Sequence, residues 1–306
     1  MTSAAMSHRS ELVAVAVAAF GSICVGTVPF LVRSLQTSGI DTVSLLFWRY
    51  VFGTLMLIPL AAWSARGIQP RSGSAVTGLY ACGLWGAIQS FAYYKAIESV
   101  ATSVAATIFF AYPIFTLILD RYLLKVDVPR STVIAVTAIF FGVTLTSLPQ
   151  LSGDRLAVQG LVLAALTPIL YALYITYSYG LTRRLPAFVA AALIYGGQLT
   201  AFGAAVAVYG LTWPATIEEW LLVASIGTFG GAVQIASFAY ALPRLSASGY
   251  AVIVSLELVT VVIIGVVALG EKLTTQSMLG VALVLSGVLL DRLMRAWSKR
   301  TTVVRR

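Results

Sequence analysis

Apolar residues run along the chain in ten long stretches separated by short polar breaks. They are Leu12–Val32, Val43–Trp63, Ala75–Ala96, Val100–Leu119, Thr132–Leu148, Val158–Tyr177, Phe188–Gly210, Trp220–Leu242, Ser246–Leu269 and Met278–Leu290, the last extending to about Trp297. Stretches of roughly 17 to 25 residues match a hydrocarbon core of about 30 Å, so each predicts a membrane-crossing helix. The breaks carry turn residues: Ser38-Gly39, Gln69-Pro70, Asp127-Val128-Pro129, Leu151-Ser152-Gly153, Leu185-Pro186, Trp213-Pro214 and Pro243. No loop is long enough for a soluble domain, and no P-loop appears, which argues against direct ATP drive.

Few polar residues interrupt the apolar stretches, and one pair repeats. Gly86-Ala87-Ile88-Gln89 in span 3 recurs as Gly231-Ala232-Val233-Gln234 in span 8, 145 positions later. A glutamine at membrane depth needs a cavity or a partner helix. In this ungapped register Gly86–Val143 and Gly231–Val288 share 12 identities in 58 positions, among them Ser103/Ser248 and Gly142/Gly287. A competing register pairs Ser90–Tyr93 with Ser237–Tyr240 but needs a two-residue gap; the ungapped one also aligns the helix ends. Five spans per unit make the second unit enter the bilayer from the opposite side. The predicted architecture is therefore an all-α integral membrane protein of ten transmembrane helices, built as two inverted five-helix repeats over residues 1–150 and 151–306. Such repeats form alternating-access carriers with a midplane site between the halves.

Composition agrees. The chain is 59% hydrophobic and 10% charged, with mean hydropathy +0.93, where soluble domains carry about 25% charge. Its net charge of +9 is spread over short loops and one tail and does not point to nucleic acid. With the N-terminus cytoplasmic, fifteen Lys and Arg lie inside (Arg9, Arg66, Arg71, Arg121, Lys125, Arg130, Arg183, Arg184, Arg244 and six in the tail) and four outside (Arg33, Lys95, Arg155 and Lys272). That bias places both termini in the cytoplasm and sets the tail against anionic lipid. Trp63 and Trp297 then mark the inner interface, and Trp213 and Trp220 the outer one. Cys24 and Cys82 stand alone in apolar segments and read as buried thiols; His8 is a solvated tail residue. No metal or cofactor motif is present. The first helix is expected to serve as its own insertion signal, without cleavage.

The residues also carry a family resemblance. Ten spans, the duplicated unit and the basic loops resemble the drug/metabolite transporter superfamily. Ser255-Leu256-Glu257-Leu258, Leu269-Gly270-Glu271-Lys272-Leu273 and the run Leu279–Gly287 look like the end of an EamA domain. Ala111-Tyr112-Pro113 and Gly142-Val143 are the counterpart in the first half, which has Lys125-Val126 in place of the Gly-Glu pair. Leu258 stands where the family's usual proline would follow the glutamate. The overall character looks most like the bacterial aromatic amino acid exporters of this group (YddG-type). The resemblance implies a transporter of the inner membrane with a small-molecule substrate and no cofactor; a monomer fits it.

Candidate site residues follow from depth and face. Glu257 lies about 16 Å into its helix from Ser246, near the midplane. Two readings stand: a substrate-amine contact or proton-coupling group, and a neutral carboxyl hydrogen-bonded to a neighbouring helix. Arg49 lies about two turns from the outer end of its helix and is expected to snorkel to the interface; a pair with Glu257 is compatible with the sequence. Gln89 shares a face with Trp85, Ala92 and Tyr93, and Gln234 one with Gly230, Gly231, Ser237 and Phe238. A binding cavity for an amphipathic molecule needs this mixture, although hydrogen bonding between spans 3 and 8 would also explain the amides. Tyr112 aligns with Glu257, and Tyr171 follows Thr167-Pro168. Pro29, Pro113 and Pro168 predict kinks suited to gating. Spans 5 and 10 read as peripheral packing helices, and Lys95 and Glu98 as a local ion pair.

These residues favour a secondary carrier exporting a small amphipathic metabolite, with an aromatic substrate favoured by Trp85, Tyr93, Tyr112, Tyr171 and Phe238. Other amino acids, amines, drugs or nucleotide sugars are the competing cargoes. A membrane enzyme would gather histidines, acids or cysteines around a reactive centre, and a channel would need a continuous polar stripe. The spans offer one central acid, one arginine and no histidine.

Overall fold

The computed structural model describes residues 3–66, 73–99, 105, 108–125, 127–147, 158–269 and 275–304. Among them the chain is helical throughout. Span 1 comprises α1 (Ser3–Gly26) and α2 (Val28–Thr37); span 2 is α3 (Thr42–Ser64) and span 3 is α4 (Gly73–Ser99). Span 4 ends in α5 (Tyr112–Tyr122), span 5 is α6 (Arg130–Ser147), span 6 is α7 (Val158–Thr182) and span 7 is α8 (Ala187–Tyr209). Span 8 strings together α9 (Ile217–Gly227), a π turn (Thr228–Val233), α10 (Gln234–Ala241) and a 3-10 turn (Leu242–Arg244). Span 9 is α11 (Ala247–Val254) plus α12 (Leu256–Leu269), and span 10 is α13 (Thr275–Val304). Gln69-Pro70, Leu151–Gly153 and Gly270–Leu273 lie outside the described residues.

The element ends are set by local chemistry. Asp41 caps α3 by accepting from the Ser44 amide at 3.0 Å, and Thr216 with Glu219 forms a capping box on α9. Gly39 (φ 91°) and Gly210 (φ 92°) take the positive φ that glycine permits, just past α2 and α8. Pro29 stands in the first turn of α2, just past the break at Thr27, where a missing N–H costs nothing. Pro168 instead lies inside a continuous α7. It leaves the Ala164 carbonyl without its helical partner, and the Thr167 hydroxyl donates to that oxygen at 2.7 Å.

The repeat register holds in the structure. A shift of 145 positions carries Arg130, the start of span 5, onto Thr275, the start of span 10. The same shift carries the turn at Phe110-Ala111, before α5, onto Ser255-Leu256, where α11 gives way to α12. Spans 4 and 9 are thus broken at equivalent points.

Packing interleaves the two repeats. Span 3 packs on span 6, and span 4 packs on span 6; by inversion, span 1 packs on spans 8 and 9. Each repeat's first helix has crossed to the other repeat. Two three-helix bundles result, 3-4-6 and 1-8-9, with spans 2 and 7 packed together beside them. Spans 3 and 7 cross at backbone contact: a Cβ on Gly83 would lie 2.1 Å from the Ile194 carbonyl oxygen, and one on Gly197 2.3 Å from that of Tyr80. Spans 5 and 10 pack on one another, Gly142 against the Gly280 carbonyl and Gly287 against that of Ala135. They also touch spans 4 and 9 along the edge of the bundles.

Candidate functional site

Aromatic rings run continuously between the two bundles at the level of the broken helices. Tyr93 of span 3 meets Phe109 (centroids 5.0 Å apart), which meets Tyr171 of span 6 at 5.2 Å; Tyr171 meets Tyr112 edge-on at 4.9 Å. The row continues from Tyr174 to Phe238 of span 8, stacked at 5.2 Å, and from Phe238 to Tyr250 of span 9 at 5.3 Å. Tyr93, Tyr112, Tyr171 and Phe238 are therefore brought together. Trp85 stands apart: it is 37% exposed beside Leu84 and Ile88, and its indole donates to the Leu170 carbonyl at 3.0 Å.

Glu257 enters this row from the first turn of α12. The break at Ser255 puts it there, with the positive end of a half-helix behind its carboxylate. The Ser255 hydroxyl donates to the Ala251 carbonyl at 3.0 Å, and Tyr112 donates to the same oxygen at 3.3 Å. Tyr93, Tyr112, Tyr171 and Tyr250 all lie within the electrostatic reach of Glu257. Among the described residues no donor hydrogen-bonds its carboxylate. Glu257, Tyr93 and Tyr171 are each half-buried.

The two glutamines face this region differently. Gln89 is 8% exposed and has no hydrogen-bond partner among the described residues, so no bond joins it to span 8. Gln234 follows the π turn directly and reaches the Tyr250 hydroxyl. Pro113 sits in the first turn of α5, beside Tyr112.

Arg49 corrects the sequence expectation. Instead of snorkelling to the interface, it turns inward and binds two other spans. One Nη donates to the Tyr94 hydroxyl of span 3 at 2.7 Å and the other to the Gly230 carbonyl of span 8 at 3.1 Å. A π turn leaves carbonyls without their regular helical partners, and Arg49 takes one of them. Its guanidinium also lies 5.8 Å from the Tyr50 ring centre and 5.9 Å from that of Tyr94. Behind it, Tyr50 pairs with Ser90 at 2.9 Å and accepts from Gln198 at 3.2 Å. Sequence reasoning missed this polar group; the signal was two further polar residues, Ser90 and Gln198, inside apolar spans.

Away from the midplane the polar contacts tie helix ends. Lys95 and Glu98 form the expected pair at 2.6 Å, and Thr42 of span 2 donates to Glu98. Trp213 and Trp220 pack edge-on against Trp48. At the face where span 1 begins, buried Asp120 of span 4 accepts from the Ser248 amide of span 9 at 2.8 Å. Asp291 of span 10 accepts from the Thr132 hydroxyl of span 5 at 2.6 Å.

Broken membrane helices around a cluster of polar and aromatic side chains are a recurrent arrangement in transporters. The profile of the EamA-like transporter family matches residues 12–148 and again 158–291. The chain belongs to that family, as a multi-pass membrane protein made of two EamA repeats. A solved crystal structure, 16% identical, superposes with a TM-score of 0.79 over 93% of this chain and 98% of its own; it shares the fold. No curated protein sequence matches.

Proposed function

We propose that this chain is a secondary carrier of a bacterial inner membrane that exports small amphipathic metabolites, aromatic amino acids foremost, by alternating access. The observation that carries the reading is Glu257, a carboxylate at the broken midpoint of span 9 with Tyr93, Tyr112, Tyr171 and Tyr250 around it. Apolar walls with a few fixed polar groups are what a small amphipathic ligand requires. In this reading Gln89, Gln234 and Glu257 supply the polar contacts, and Tyr93, Tyr112, Tyr171 and Phe238 the planar ones. Trp85, outside the ring row, makes no planar contact in this reading. Glu257 meets the substrate amine or carries a coupled proton. Pro29, Pro113 and Pro168 mark where spans 1, 4 and 6 bend as the bundles rock. The Lys and Arg bias supports cytoplasmic termini.

Counterflow into proteoliposomes, with labelled aromatic amino acids, other amino acids, amines and nucleotide sugars, tests the substrate class. Saturable exchange of phenylalanine, tyrosine or tryptophan is expected. Exchange of another class with none of these would replace the aromatic reading by a different cargo on the same carrier. Under an imposed pH gradient, Glu257→Gln is expected to lose gradient-driven accumulation if the residue carries the proton; unchanged accumulation would remove it from that role.

A further inference from the structure

Arg49 stands where a backbone donor is missing. In a regular α-helix the Gln234 amide would donate to the Gly230 carbonyl, four positions back. In span 8 it donates to the Gly231 carbonyl instead, and the Gly230 oxygen accepts from Arg49 of span 2 at 3.1 Å. The second Nη of Arg49 donates to the Tyr94 hydroxyl of span 3 at 2.7 Å, and the guanidinium also faces the Tyr195 hydroxyl of span 7. Backbones touch at this level: a Cβ on Gly227, just before the π turn, would lie 2.7 Å from the Arg49 carbonyl oxygen. The turn itself is packed on by Val28 of span 1, too close to Gly230 to admit a Cβ, and by the Tyr195 hydroxyl, 2.8 Å from where a Cβ on Gly231 would be.

This turn sets a register. A π turn bonds five positions back where an α turn bonds four, so it accommodates one extra residue. Each residue turns an α-helix by about 100°. Were span 8 to close as a regular helix through this stretch, everything after it would rotate by about that angle against spans 1, 2 and 7. Gln234, the first residue of α10, would leave Tyr250, and Phe238 would leave Tyr174, on which it stacks at 5.2 Å. A bare Gly230 carbonyl at membrane depth would drive that closure, because the Gln234 amide is its alternative donor. Arg49 removes the drive by donating in the amide's place.

We propose that Arg49 is a positioning residue for the transport site: its bond to the Gly230 carbonyl holds the π turn of span 8 and so aims Gln234 and Phe238 at the cargo. This rests on the carrier reading above, which sets those two side chains against the substrate. Arg49 itself does not touch the cargo.

The test pairs Arg49→Gln with deletion of Phe229, an exposed residue of the turn. The deletion removes the extra residue and lets span 8 close as a regular helix with α10 in its present register. In a Cys24→Ala, Cys82→Ala background, Tyr174→Cys and Phe238→Cys are joined by a short bifunctional methanethiosulfonate, a readout that needs no cargo. Cross-linking is expected with Arg49 present, should fall at least about tenfold with Arg49→Gln, and should return when Phe229 is also deleted. Arg49→Lys, which keeps a donor, should retain most of it. With Tyr174 and Phe238 intact, Arg49→Gln should raise the KM of phenylalanine counterflow about tenfold, with the maximal rate changed less, and the deletion should restore it. Cross-linking unchanged by Arg49→Gln, or lost and not regained on deletion, would overturn the proposal; the second result would make Arg49 a packing residue only. Where Arg49→Gln alone folds poorly, recovery of folded protein on deleting Phe229 supports the same dependence, and no recovery overturns it. Cross-linking that behaves as expected in a chain that exchanges no aromatic amino acid would leave the positioning standing and overturn the aromatic cargo.

Discussion

The side chains that matter sort by whether a neighbour already satisfies them. Gln89 has no hydrogen-bond partner among the described residues, whereas Gln234 reaches Tyr250. Gln89→Leu should therefore cost little thermal stability and lower transport; a large loss of melting temperature would show the amide to be structural. Asp41 is satisfied twice. It accepts from the Ser44 amide at 3.0 Å and from the Thr212 hydroxyl at 2.8 Å. Partial burial works against the charged form, but these bonds outweigh it and hold the carboxyl below its ordinary value of 3.8. A depressed carboxylate stabilises the fold above its unfolded pKa, and that contribution fades as pH falls below about 4. Asp41→Ala should cost about 1 kcal/mol at pH 7 and less at pH 3, as read by thermal unfolding in detergent; an equal cost at both would contradict the charged cap. Gln89, Gln234 and Glu257 were legible in the sequence because a polar residue in an apolar stretch announces itself. Arg49 announced itself too, but its direction depends on a carbonyl 181 positions away, which no local pattern contains.

Helix number and placement could be read from apolar length alone, and the observed elements follow the ten predicted stretches. What length cannot show is where a helix breaks. Ser255, Phe110 and Ala111 carry no breaker signal, and the break before α5 is foreshadowed only by Pro113. The π turn in Thr228–Val233 is equally silent in sequence, since two glycines fit close helix packing as well. Close packing does occur at spans 3 and 7, where backbones touch at Gly83 and Gly197. An added methyl there meets backbone oxygen, which cannot rotate away. Gly83→Ala or Gly197→Ala should destabilise by about 1–3 kcal/mol, whereas Gly180→Ala, with open space around its Cβ, should have little effect. Matching melting temperatures for all three would show that the crossing is looser than described.

At the scale of the molecule, inversion turns ten helices into two facing bundles, each completed by a helix from the other repeat. The duplicated glutamine tetrad made the inversion legible; the exchange of first helices was not, because it depends on which apolar faces meet. Contacts between the bundles include Asp120 with the Ser248 amide, at the face where span 1 begins. Ser246 already caps that helix through the Gly249 amide at 3.0 Å, so the Asp120 bond serves mainly to hold span 4 to span 9. Asp120→Ala should loosen that face and make the site more reactive from it. The central claim is that this site is reached from each face in turn. The direct measurement places Gln89→Cys in a Cys24→Ala, Cys82→Ala background and labels it with a membrane-impermeant maleimide in right-side-out and inside-out vesicles. Labelling from both faces, protected by phenylalanine, is the predicted result; labelling from one face only, or labelling indifferent to the amino acid, would contradict it.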